Sequence, residues 1–253
     1  MSQNAKPIFL WDNLLAHEGA NLNASSSDAD HQVQNIADWR EYLTWQAGVT
    51  GPVDLTADLG TEQSVSVLAL YGHNLYSGQH TDITLSGSNN GSDWNLILQA
   101  SPDSDDPFLK IFPETSYRYF RLNVGAGSVA AQIGLLFLGS FLEFPSYPVR
   151  GFDPNEQETV IENSKSEEGY LLGTVIKYQQ RKINLEFNYL SDLWVRQVFI
   201  NFWKTHLSLP FLFNWDYANH PQETYLVRVS EPKLELPYQP AYWSLKLALE
   251  GRV

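Results

Sequence analysis

The sequence contains no cysteine. Disulfides and thiolate metal sites are therefore excluded, and the redox compartment leaves no mark on the chain. No run approaches the roughly 20 apolar residues that a membrane helix needs, so no membrane insertion is expected. The opening residues, MSQNAKPIFLWDNLL, lack a basic stretch followed by an apolar one, and no secretory signal is expected from them. Basic residues are scarce: 16 Lys and Arg stand against 29 Asp and Glu, a net charge of -13. Duplex nucleic acid, which needs a basic face, is excluded as the main partner.

Catalytic motifs are missing too. The six histidines include no i,i+4 pair with an intervening Glu, so a zinc-hydrolase helix is not present. There is no phosphate-cradling glycine loop, no GxGxxG and no Gly-x-Ser-x-Gly elbow. Carboxylates are plentiful, but a glycosidase needs two of them at a fixed separation. The stretch SSSDADH (25–31) has oxygen ligands without the ordered acidic spacing of a calcium loop. His73 and His80 flank a Gly/Ser/Tyr turn with only Asp82 close by. No catalytic residue, metal or cofactor is expected, and the protein is not read as an enzyme.

What remains is a chain of 253 residues, 43% hydrophobic, which is enough to bury one large core or two ordinary ones. Its charge is uneven. Up to Pro145 there are 5 Lys and Arg against 16 Asp and Glu; from Ser146 onward there are 11 against 13. The step coincides with EFPSYPVRGFDPNEQE (143–158), whose three prolines interrupt strands. Two domains are expected, 1–145 and 146–253.

The first half reads as short strands punctuated by turns, among them VSVLALYG (65–72), TDITLSGS (81–88), YRYFRLNV (117–124) and QIGLLFLGSFLEF (132–144). Between two of them lies SNNGSDW (88–94). Asn and Gly tolerate positive φ, and short polar side chains satisfy loose backbone groups, so a turn is expected there rather than a ligand site. In the second half KINLEFNYL (182–190) and WSLKLALEG (243–251) alternate as strands, and SDLWVRQVFINFWKTHL (191–207) is the one convincing helix. Ser191 suits its N-cap, Asp192 its first turn, Lys204 and His206 its last. Its apolar stripe (Trp194, Val195, Val198, Phe199, Phe202, Trp203) spans about 180°, wider than packing on one sheet requires, and Leu193 and Ile200 fall outside even that arc. Burial in a deep core, or cover by a neighbouring subunit, would account for it.

The segments NLNASSS, NIADWREYLTWQAG, VDLTADLGTEQSVSVLALYGHNL, ITLSGSNNGSDWNLI, YRYFRLNV and QIGLLFLG give the first half a resemblance to the discoidin-like, galactose-binding-like family of jelly-roll sandwiches. Asp58-Leu59-Gly60, the turn from Ser86 to Trp94, and Tyr119 to Leu122 carry it. The resemblance implies a β-sandwich whose loops at one end hold sugars or lipid headgroups in many relatives. The structural calcium of many relatives does not carry over, since WREYLTW stands where an acidic stretch is usual and Gln132 or Gly134 where a late acid is. For a sugar, the nominated residues are Trp39, Arg40, Tyr71, His73 and Tyr76.

In the second half GYLLGTVIKYQQRKINLEFNYLS, WVRQVFINFWKTH, PFLFNWDYANHPQETYLVRV and YWSLKLALEG resemble minor or distal tail proteins of long-tailed bacteriophages. That implies a β-barrel or sandwich with one helix, about 191–206. It further implies a ring of six or three copies around the tail channel, with tail tube and hub proteins as partners. The virion would then be its location, assembled in the bacterial host cytoplasm. The assembly surface is expected around Leu193, Ile200 and Trp203. The reading reached is a structural component of a phage tail tip or baseplate, with the sandwich as a brace or host-surface contact. The alternative is a carbohydrate-binding module acting in adhesion to a host-surface glycan. The fold expected in either case is mostly β.

Overall fold

The computed structural model describes residues 5–80, 82–149, 152–235 and 241–252. Fourteen strands run through it: β1 (Ile8–Leu10), β2 (Asn21–Ala24), β3 (Trp45–Gln46), β4 (Val53–His73), β5 (Ile83–Ser88), β6 (Asn95–Ala100), β7 (Phe108–Val124), β8 (Gln132–Gly139), β9 (Leu142–Glu143), β10 (Gln157–Lys165), β11 (Leu171–Ser191), β12 (Phe211–Asn214), β13 (Thr224–Glu235) and β14 (Tyr242–Arg252). A helical segment, α1 (192–205), joins β11 to β12. The fold is mostly β, as the turn-punctuated pattern implies.

The first sheet is ordered β3-β8-β4-β7-β5-β6, with β2 added on β4. Its two long strands serve both layers of a sandwich. Residues 55–58 of β4 pair with β2 and 53–58 with 119–124 of β7, whereas 67–73 pair with β8. The register breaks between Asp58 and Gln63, where Gly60 takes φ +76°; a side chain there would be strained. Between the layers lies a core built around Trp45, Leu55, Leu68, Leu70, Phe120 and Leu138.

The turn at SNNGSDW is a turn. β5 and β6 pair across it. Ser88 Oγ accepts from the amides of Asn90 and Gly91, and Asn90 Oδ1 from those of Ser92 and Asp93. Only Gly91 takes positive φ. Trp94 lies under the Arg121 guanidinium, 4.3 Å from ring centre to carbon.

The second sheet is ordered β10-β11-β14-β13-β12-β1-β9. Two of its strands come from the first 145 residues: β1 pairs with both β12 and β9. A boundary at 145/146 therefore cuts through this sheet. Phe9 of β1 is fully buried against the rings of Phe144, Phe202, Phe211 and Phe213.

α1 covers one face of this sheet. Ser191 caps it, its hydroxyl accepting from the Trp194 amide at 3.2 Å. The turn at Val195–Phe199 is π-helical, so the phase of the apolar stripe slips within the helix. Val195, Phe199 and Phe202 point into the core. Val198, which an unbroken helix would place in the stripe, is exposed instead.

A third apolar cluster welds the two sheets together. Val67 and Ala69 of β4, Leu135 and Phe137 of β8 and Leu109 of β7 meet Ile8, Leu10, Leu212 and Leu226. Successive strand residues point to opposite faces. Leu68 and Leu70 therefore fill the sandwich while Val67 and Ala69 fill the junction, which is why VLAL (67–70) reads as an unbroken apolar run. Each large side chain buried there contributes roughly 1.5–3 kcal/mol of gross transfer energy.

Candidate functional site

The five residues nominated for a ligand fall into two places. His73 ends β4 and Tyr76 lies in the loop that follows it. Trp39 and Tyr71 sit against the junction cluster between the sheets. Arg40 is exposed beside Trp39 and is held by Asp38, its Nε 2.9 Å from Oδ1.

The loop after β4 is tied down by hydrogen bonds along its length. Asn74 stitches it to the strand opposite: its amide donates to the Ala130 carbonyl and its Oδ1 accepts from the Gln132 amide. Leu75 is fully buried as a plug. Asp105 then accepts from the backbone N–H groups of Tyr76 and Ser77, at 2.9 and 3.1 Å. The loop closes with Gly78, whose carbonyl accepts from the Ser128 amide at 2.7 Å. A Cβ on Gly78 would press on the Asn74 carbonyl, and one on Gly127 would strike the His80 ring; both glycines are required by close approach.

On this frame Tyr76 stands 57% exposed, a large aromatic whose backbone is fixed and whose ring is free. His73 is buried. Burial lowers its pKa below the usual imidazole value, and the nearby Asp105 carboxylate opposes that shift. Asp105 is shifted down, because the Ser77 and Tyr76 donors outweigh its own burial. The ring nitrogens His73 Nε2 and His80 Nε2 are buried with no hydrogen-bond partner. His73 thus supports the loop instead of presenting a surface to solvent. Among the described residues no group of three or more His, Asp or Glu is placed to hold a metal ion.

This end of the sandwich presents an exposed aromatic ring on a fixed loop and a carboxylate, Asp105, already engaged by backbone donors. Residues 21–136 match the F5/8 type C domain. The fold of this part of the chain is a discoidin-like jelly roll, and the matched span runs from β2 almost to the end of β8. No curated protein matches the chain. Among solved structures, the module CpGH89CBM32-5 of Clostridium perfringens, in complex with GalNAc-β-1,3-galactose, is 17% identical with a TM-score of 0.44; the match covers 52% of this chain and 99% of that one. A GH29 fucosidase of Ruminococcus gnavus in complex with fucose is 19% identical with a TM-score of 0.46, covering 53% of this chain and 27% of the fucosidase. Chitosan-binding module 1 of a chitosanase/glucanase from Paenibacillus sp. IK-5 is 16% identical with a TM-score of 0.43, covering 51% of this chain and 99% of the module.

Outside the discoidin-like domain, the nominated assembly residues are spread unevenly over α1. Leu193 is exposed, whereas Ile200 and Trp203 are half-buried, Trp203 against Phe199. Sequence reasoning missed a larger apolar surface. β10 and the first half of β11 form a hairpin arm in which Ile161, Leu171, Leu172, Val175, Ile176 and Tyr178 are all more than half exposed. Its signal was present as apolar residues without a clean period of two.

Proposed function

We propose that the chain is a carbohydrate-binding protein with no catalytic step of its own. Its discoidin-like domain holds a glycan at the loop end around Tyr76. The observation that carries this reading is the exposed Tyr76 ring on a loop locked by Asn74 and Asp105. A sugar presents a C–H face to an aromatic ring and hydroxyls to its polar surroundings, and a pre-ordered loop loses little entropy on binding. Loop-end recognition of sugars is also what the discoidin-like resemblance implies. The test is a glycan array followed by calorimetry on the best binder. Tyr76→Ala should weaken that binder by about tenfold, the equivalent of one lost stacking contact. Unchanged affinity would end the assignment to this loop.

The exposed arm favours a second reading, that of a structural component of a phage tail tip or baseplate. An isolated two-stranded hairpin is marginal in water, and an apolar surface left open on it marks a protein contact. Copies of the chain would then associate through the arm and the Leu193 side of α1, with the discoidin-like domain touching a host-surface glycan. Light scattering and negative-stain microscopy of the pure protein should show closed particles. A Leu172→Asp variant should disperse them without loss of melting temperature, because Leu172 touches no core. A wild-type protein that stays monomeric at high concentration rules this reading out.

A further inference from the structure

The crevice where the discoidin-like domain meets the second sheet has no part in the loop-end contact. We propose that it is a separate binding site for a neutral oligosaccharide, with Trp39 as its apolar wall. The space is about 640 Å³, within the range of roughly 300–1,000 Å³ typical of small-ligand clefts. Its two sides come from different sheets: Trp39 and Glu41 from the discoidin-like domain, and the middle of β11, the start of β13 and the end of β14 opposite.

The wall is rigid. Trp39 packs on Phe137 at 6.3 Å and edge-on to His206 at 5.7 Å between ring centres, and its remaining surface lines the crevice. Leu226 and Pro210 continue the apolar lining. Around it stand Glu41, Gln180 and Arg252, together with the ion pair of Arg228 and Glu250 at 2.7 Å.

The charges decide the ligand class. Arg228 and Glu250 neutralise one another. Glu41 and Arg252 have no ion pair among the described residues. Both nevertheless line the crevice, so an acceptor and a donor of opposite charge border one space. An anionic ligand would meet Glu41 and Glu250; a cationic one would meet Arg228 and Arg252. A neutral polyol can donate to Glu41 and accept from Arg252 and Gln180 at once, while its C–H faces cover Trp39 and Leu226.

The experiment uses the full chain and four trisaccharides: cellotriose, maltotriose, N-acetylchitotriose, and trigalacturonate as the anionic control. Calorimetry should find saturable binding of at least one neutral trisaccharide to a Tyr76→Ala variant, in which the loop-end contact is removed. Adding Trp39→Ala should weaken that binding by about tenfold or more, the loss expected of one stacking contact. Arg252→Gln, an exposed substitution that leaves the fold alone, should weaken it several-fold. The proposal is overturned by three outcomes: no neutral trisaccharide binds Tyr76→Ala, Arg252→Gln binds as tightly as its parent, or trigalacturonate is preferred. Glycan binding that survives Trp39→Ala and vanishes with Tyr76→Ala leaves the loop-end reading standing and removes this one.

Discussion

Single side chains carry much of the specificity of this fold, and Asn214 is the clearest case. It is fully buried at the end of β12. Its amide nitrogen donates to the His220 carbonyl at 2.9 Å and to Thr224 Oγ1 at 3.0 Å, and its Oδ1 accepts from the Asp216 amide at 2.8 Å. These bonds fold the 215–223 loop back on the strand. An Asn214→Ala variant leaves buried carbonyls without a donor and should lose about 2–3 kcal/mol, measurable by urea unfolding. A loss below about 0.5 kcal/mol would mean that water replaces the amide. Asn13 has the same role in the other sheet, donating to the Leu136 carbonyl and accepting from the Leu138 amide. Neither residue stands out in the sequence, because an Asn among turn residues reads as solvated.

At the scale of elements, α1 ends on His206, and this ending couples it to the sandwich. The ring is buried between Trp11, Trp39 and Phe202, with Nε2 2.7 Å from the Pro210 carbonyl. Burial lowers its pKa below the usual 6.5, opposed by the Pro210 carbonyl and by Asp12. His73 is shifted in the same direction, also by burial. A group whose folded pKa lies below its unfolded value binds fewer protons when folded. Its contribution is complete above about pH 6.5 and is lost as the pH falls from there towards the folded pKa. Stability should therefore be flat above pH 7 and decline below 6.5, by up to about 1.4 kcal/mol per pH unit for each histidine. His206→Gln should flatten that decline; an identical slope in the variant would show that other groups cause it. The helix position was readable from its cap and period. The π turn was not, because it arises where Phe199 and Phe202 must both reach the sheet.

At the scale of the whole molecule, the halves are interlocked rather than strung together. Residues 146–253 alone lack β1 and β9 and therefore lose the Phe9 ring from their core and one of the two partners of β12. Such a fragment should show no cooperative melting and should aggregate through its bared β12 edge. A well-dispersed amide spectrum from it would contradict the interlocked sheet. Within the full chain, Phe9→Ala should cost about 3–5 kcal/mol, and the loss should appear in the unfolding of the second sheet although the residue lies near the start of the sequence.

The sequence by itself determined the class of the fold, the turn at Asn90-Gly91, the capped helix, the discoidin-like character of the first half and the absence of thiol chemistry. Each of these is written in neighbouring residues: a period of two or 3.6, a cap, a φ-tolerant dipeptide. Tertiary structure alone decided that β1 crosses into the second sheet, that Tyr71 and His73 are covered while Tyr76 is not, and that Trp39 borders a crevice. Pairing Phe9 with Phe213 joins residues about two hundred positions apart, and no local periodicity encodes such a partner. The winning arrangement is set by which apolar faces can cover one another, and that competition exists only once the whole chain has folded.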